Sequence, residues 1–110
     1  MRKRTIGDHN KRLRYHIMRE KGYSETTALW MIERLKQLVD HLQYGHAVIA
    51  YRKQNGEFRL TTGTLIYYPN AFKCNYHFKR IQTTVVYWDV AEQGWRTFQV
   101  ENFMEWRPVV

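Results

Sequence analysis

The chain is poor in cysteine, proline and acidic side chains. A single cysteine excludes an internal disulfide framework. Two prolines and six glycines in 110 residues exclude a collagen-like or low-complexity chain, and no internal repeat is visible. No apolar run approaches the roughly 20 residues of a membrane-spanning helix. The charged N-terminus is not followed by the apolar segment of a signal peptide. These absences predict a cytoplasmic protein with no membrane partner. No phosphate-cradling glycine loop, serine–histidine–acid constellation or pair of metal-ligand motifs occurs. The expectation is therefore a protein that is not an enzyme and has no cofactor and no metal.

What is present is apolar and basic. Apolar residues make up 44% of the chain, enough for one modest core and one domain. Eighteen basic against ten acidic side chains give a net charge of +8. That excess is uneven: residues 1–23 carry +6, 24–45 carry −1, 46–81 carry +5 and 82–110 carry −2. A clustered excess of this kind favours an anionic partner, such as nucleic acid or another anionic ligand.

Taken in order, residues 1–6 form a basic arm. Asp8 is placed to cap a first helix over residues 8–21, with a narrow apolar stripe of Leu13, Ile17 and Met18 and with Gly22 ending it. Ser24 caps a second helix over residues 25–43, in which Ala28, Ile32, Leu35, Val39 and Leu42 recur at steps of three and four. Trp30 and Met31 beside that stripe are expected to leave surface for a partner. Residues 46–53 read as a strand, and Asn55-Gly56 is a strong hairpin signal. Residues 58–68 read as a long strand, with Gly63 marking a bulge or bend. Residues 69–80 read as a loop mixing aromatics with cations. Residues 81–90 and 95–100 form a hairpin whose turn, 91–94, ends in glycine. Residues 103–106 are a turn or a fifth strand, and Pro108 limits any extension beyond it.

The expected fold class is α+β: two N-terminal helices, then a small antiparallel SH3-like or Sm-like β-barrel of four to five strands. An open antiparallel sheet with one face on the helices is the alternative. The division is residues 1–45 for arm and helices and 46–110 for the barrel, folding together as one domain.

Within residues 83–106 the pattern is V-x-W-D, a turn ending in Gly94, then W-R-x-F-x-V and Glu101. It is carried by Val86, Trp88, Asp89, Gly94, Trp95, Arg96, Phe98 and Val100. Together with the Gly63-Thr64-Leu65 step, this segment resembles the WYL-like small β-barrel family over about residues 46–107. It looks closest to a compact branch found in gut Bacteroidota and their mobile elements. The resemblance implies an Sm-like or SH3-like barrel and, by similarity to larger WYL regulators, a ligand or nucleic acid sensed through basic and aromatic residues. Arg96 is the one position that it implies as a ligand contact.

The basic clusters supply two groups of candidate nucleic-acid-binding residues. One is Arg2, Lys3, Arg4, Lys11, Arg12, Arg14 and Arg19, a phosphate-contacting arm and helix. The other is Lys73, Tyr76, Lys79 and Arg80 in the 69–80 loop, where aromatics would stack bases and cations would track the backbone. Trp88, Trp95, Phe98 and Trp106 are read as core. Arg96 is expected to pair with Asp89 or Glu101 across the sheet unless it meets a ligand. Cys74 and His77 have C-x-x-H spacing without a second pair, so Cys74 is expected as a partly buried free thiol. The expected function is non-enzymatic nucleic-acid binding in a regulatory or accessory role. A protein–protein interaction module or homo-oligomeric adaptor is the alternative.

Overall fold

Elements form where periodicity and end signals agree. The computed structural model describes residues 6–110, so Arg2, Lys3 and Arg4 lie outside the described residues. Helix α1 spans Ile6–Lys21. It starts two residues before the expected cap, which moves Asp8 into the first turn, beside the positive helix end. His9, Leu13 and Ile17, four apart, form its buried line. Helix α2 spans Glu25–Leu42, and Ser24 Oγ accepts from the Thr27 N–H at 3.2 Å. Its buried face takes in Met31 as well as the predicted stripe, so Met31 is core and only Leu29 and Trp30 remain as its exposed large apolar side chains.

Five strands complete the described chain: β1 His46–Arg52, β2 Phe58–Thr64, β3 Thr84–Asp89, β4 Gly94–Gln99 and β5 Phe103–Pro108. All pairings are antiparallel, in the order β4-β3-β2-β1-β5. The β1–β2 hairpin closes as Asn55-Gly56 predicts, with Gly56 at φ +88°. In the β3–β4 turn the positive φ falls on Gln93, not on Gly94. Residues 103–106 are a strand, extended to Pro108, which sits at the end of a sheet edge where its missing N–H is tolerated.

The expected α+β class and five antiparallel strands are observed, but the sheet is not closed: β4 and β5 are its two ends and do not pair. A single 3₁₀ turn, Val100–Asn102, joins them. The rings of Phe98 and Phe103 stack across the gap at 6.2 Å, so side chains meet where backbones do not. The expected bulge at Gly63 is also absent; the register shift lies between Ala50 and Tyr51 where β1 meets β5. Gly63 is needed for closeness instead. A Cβ there would stand 2.7 Å from the Tyr87 ring and 3.0 Å from Ile49.

The predicted 58–68 strand stops at Thr64, and the 69–80 loop is partly ordered. Pro69 lies in the first turn of a short helix α3, Tyr68–Phe72, ended by Lys73 at φ 60°. A 3₁₀ turn, Phe78–Arg80, comes next.

One continuous core joins α1, α2 and the inner sheet face. Arg34 fastens α2 to β5: its Nε donates to Glu105 Oε1 at 2.8 Å and its Nη2 to the Trp106 carbonyl at 2.7 Å. The Trp106 indole N–H returns a bond to the Arg34 carbonyl at 2.9 Å. Helix α1 is held by His9 Nε2, which donates to the Ile81 carbonyl at 2.6 Å, and by His16, paired with Glu101 at 2.9 Å. Among the described residues no helix is long and apolar enough to cross a membrane.

Candidate anion-binding cleft

Strand alternation and register decide what the inner face of the sheet carries. Cross-strand partners share a face, so Ala47 with Gly63, Ile49 with Thr61 and Tyr51 with Arg59 form rows on one side. Asp89 joins them opposite Gly63, and Arg96 opposite Tyr87. At one end this face is apolar: Ala47, Ile49, Val85 and Trp106 are buried. At the other end the same alternation delivers Arg59, Thr61, Asp89 and Arg96.

The charged end is built around Asp89, whose side chain is 1% exposed. Its Oδ2 accepts from Arg59 Nη2 at 3.1 Å and from Thr61 Oγ1 at 3.0 Å, and lies 3.1 Å from Arg96 Nε. Its Oδ1 accepts from the Glu92 N–H at 3.0 Å, which ties the carboxylate to the β3–β4 turn. Burial pushes the Asp89 carboxyl up, but the bonds from Glu92, Thr61 and Arg59 outweigh it and hold the group below its ordinary value. Burial opposes the Arg59 charge, but the bond to Asp89 together with the nearby Tyr51, Tyr87 and Asp89 oxygens outweighs it, so that guanidinium is held above its ordinary value. Beneath them the Tyr51 and Tyr87 hydroxyls lie 2.6 Å apart. Burial, then that bond, raises the Tyr87 hydroxyl well above the ordinary tyrosine value. Gly63, by admitting the Tyr87 ring, is what lets this pair form.

Above this cluster opens a cleft of about 490 Å³ between the β1–β2 hairpin and β4. Arg52, Lys53, Arg59 and Arg96 are its cations and Tyr51 and Phe98 its rings; Trp95 borders it at β4 but pairs with Trp88 on the opposite face of the sheet. Among the described residues no acidic side chain lines it; Asp89 lies behind the arginines. Trp95 continues outward into a ring cluster, 5.2 Å from Trp88, 5.0 Å from Phe72 and 5.9 Å from Tyr68. Such a mouth can neutralise an anion and offer a flat surface to its organic part.

Of the predicted site residues, only Arg96 lies in this cleft, and its expected pairing with Asp89 is observed. Lys11, Arg12 and Arg19 are exposed on α1; Arg14 is half-buried and donates to Glu25 at 3.0 Å. Lys73, Lys79 and Arg80 are exposed. Tyr76 is not a free stacking platform. Its hydroxyl accepts from the Val86 N–H at 3.3 Å, its ring meets Tyr68 at 4.9 Å, and burial raises its hydroxyl to about 12. Cys74 is exposed, which corrects the expected partly buried thiol. Phe98 and Trp106 are core as read, whereas Trp88 and Trp95 are half-exposed.

Helix α1 bridges two basic regions. Its start meets the Phe78–Arg80 turn, where His9 stacks edge-on against Phe78 at 5.2 Å. At its far end Lys21 shares a groove with Arg52 and Lys53. Sixteen residues place these ends about 24 Å apart. Sequence reasoning missed Arg52, Lys53 and Arg59. A signal was there: the Asn55-Gly56 hairpin sets Arg59 opposite Tyr51 and onto the inner face.

Comparison with curated proteins and with solved structures finds no match. The family model described as WYL_2, Sm-like SH3 beta-barrel fold, matches residues 35–104. That stretch runs from the middle of α2 into β5 and contains all four cleft cations, while α1 lies outside it. The match starts earlier than the resemblance suggested, because the second half of α2 packs into the same core as the sheet. The chain therefore belongs to the WYL_2 family of Sm-like SH3 β-barrel proteins.

Proposed function

We propose that this chain is a non-enzymatic, regulatory or accessory protein that binds nucleic acid through phosphate contacts in the β1–β2/β4 cleft. One observation carries the reading. The inner sheet face ends in a cleft lined by four cations and by the Tyr51 and Phe98 rings, and the carboxylate behind it is turned to holding two of those cations. Cations beside rings suit single strands, whose phosphates seek charge and whose bases seek flat apolar surface. Family membership is compatible with a regulatory role but assigns no ligand. The exposed cations of α1 and of the Phe78–Arg80 turn supply long-range attraction.

A fluorescence titration with labelled short single- and double-stranded oligonucleotides at two salt concentrations tests this. Salt-sensitive binding is expected, with single strands preferred and with a reduced salt slope in Arg52→Ala/Lys53→Ala. No binding at low salt overturns the reading; salt-insensitive binding overturns its phosphate-led mode.

The alternative, a protein–protein module, is favoured by one feature: Leu29 and Trp30 are 45% and 47% exposed on α2. A homo-oligomer built on them would show a concentration-dependent mass in light scattering that Trp30→Ala abolishes. A constant monomer mass removes it.

A further inference from the structure

The cleft's donors are arranged for a compact dianion. Arg59 uses Nη2 on Asp89, and its Nε is buried with no hydrogen-bond partner. A buried guanidinium donor left unpaired costs free energy, so this edge of Arg59 lacks an acceptor. Arg96 is ion-paired to the same Asp89 oxygen, its Nε 3.1 Å away, and its side chain is 38% exposed. One carboxylate thus fixes two guanidinium forks, each with further N–H groups to give. Lys53 lies 3.6 Å from Glu57. With Asp89 and Glu57 set against Arg52, Lys53, Arg59 and Arg96, the mouth retains a net +2.

A phosphodiester presents one negative charge per nucleotide, spread along the chain. A terminal phosphate monoester concentrates about −1.5 to −2 and three acceptor oxygens in one place. Two guanidinium groups held on one carboxylate match that geometry, and the Tyr51 and Phe98 rings line the same cleft. From this, and resting on the reading of the cleft as a phosphate site, we infer that it recognises a terminal phosphate monoester. The chemistry is shared by the 5′-phosphorylated end of a single strand and by a free mononucleotide.

The experiment uses the full chain and 3′-labelled eight-nucleotide single strands bearing either a 5′-phosphate or a 5′-hydroxyl, read by fluorescence anisotropy at pH 7.5. The 5′-phosphorylated strand is expected to bind about tenfold tighter, since a well-placed bidentate contact discriminates by about that much. AMP is then added as competitor. Displacement at concentrations near the strand's own Kd identifies the free nucleotide as sufficient. Displacement only at far higher concentrations assigns the site to a strand end. Both support the monoester class, whereas no displacement at all overturns it.

The preference should shrink between pH 7.5 and 5.5, because the monoester's second pKa is about 6. The ionisable groups facing the site are Arg52, Lys53, Arg59, Arg96, Tyr51 and, behind them, Asp89. Arg96→Lys keeps the charge but not the fork and should lose most of the preference; Arg59→Lys is the second variant. Equal, salt-sensitive binding of both strands overturns the monoester assignment and leaves the phosphate-contact reading standing. No binding of either strand overturns both.

Discussion

The inner face of this sheet holds two interiors made by the same strands. Near the helices it is closed and apolar: Ile49, Val85 and Leu35 are fully buried, and α2 lies across β1 and β5. At the far end no helix of the described residues covers it, and the same alternation ends in Arg59, Thr61, Asp89 and Arg96. The first end is stabilised by area removed from water, a non-directional effect. The second depends on a few directional bonds around one buried carboxylate. The difference teaches that stability and binding are separable here, because they sit at opposite ends of one face.

The largest expected effect is at the apolar end. Leu35→Ala should lower unfolding stability by about 2–5 kcal/mol in urea melts while leaving the cleft's ligand affinity unchanged. A parallel loss of affinity would break the separation. Gly63→Ala sits between the two ends. Its Cβ would press on Tyr87 and Ile49, and about 1–3 kcal/mol of stability should go, together with the Tyr51–Tyr87 bond.

At the charged end, Asp89→Asn should cost about 1–3 kcal/mol at pH 7. The carboxyl is held below its ordinary value of 3.8, so its contribution is complete above that value and is lost as pH falls through the lower folded value. The parent chain should lose this contribution below about pH 4 and the variant should show a flatter acid limb. An unchanged acid limb would show that Asp89 is not the group responsible. Tyr87→Phe should cost about 1 kcal/mol by leaving the Tyr51 hydroxyl without its partner. In the parent chain the raised Tyr87 value makes its contribution complete below about pH 10 and lost at higher pH. That alkaline loss should disappear in the variant.

The smallest effect is expected on α1. Arg14→Ala breaks an ion pair whose Glu25 is 59% exposed, and should change stability by less than about 1 kcal/mol. A larger change would mean that α1 is part of the cooperative core through more than its buried line of His9, Leu13 and Ile17.

Helix α2 is legible in the sequence because its stripe repeats at 3.6-residue spacing and Ser24 opens it; every predicted stripe residue is buried. The hairpins are legible because Asn55-Gly56 and the break at 91–94 are local turn chemistry. The helical turns of the 69–80 segment are not, since their order comes from distant partners: Phe78 packs on His9, and Phe72 on Trp95. The site is legible only at Arg96. The conspicuous basic clusters lie on α1 and in that segment, where charge runs are contiguous in sequence. The cleft collects its cations from separate strands, two from the end of β1, one from β2 and one from β4.

By itself, the sequence determined the order of two helices and then four or five strands, the antiparallel hairpins and the buried stripe of α2. Those features arise from periods of 3.6 and 2 and from turn residues, all read within a few positions. Only the tertiary structure decided that the sheet stays open between β4 and β5. It also decided that Arg59, Asp89 and Arg96 meet around one carboxylate oxygen. Strand order and curl are set by packing between elements far apart in the chain, and no local pattern encodes which open end the charged residues will share.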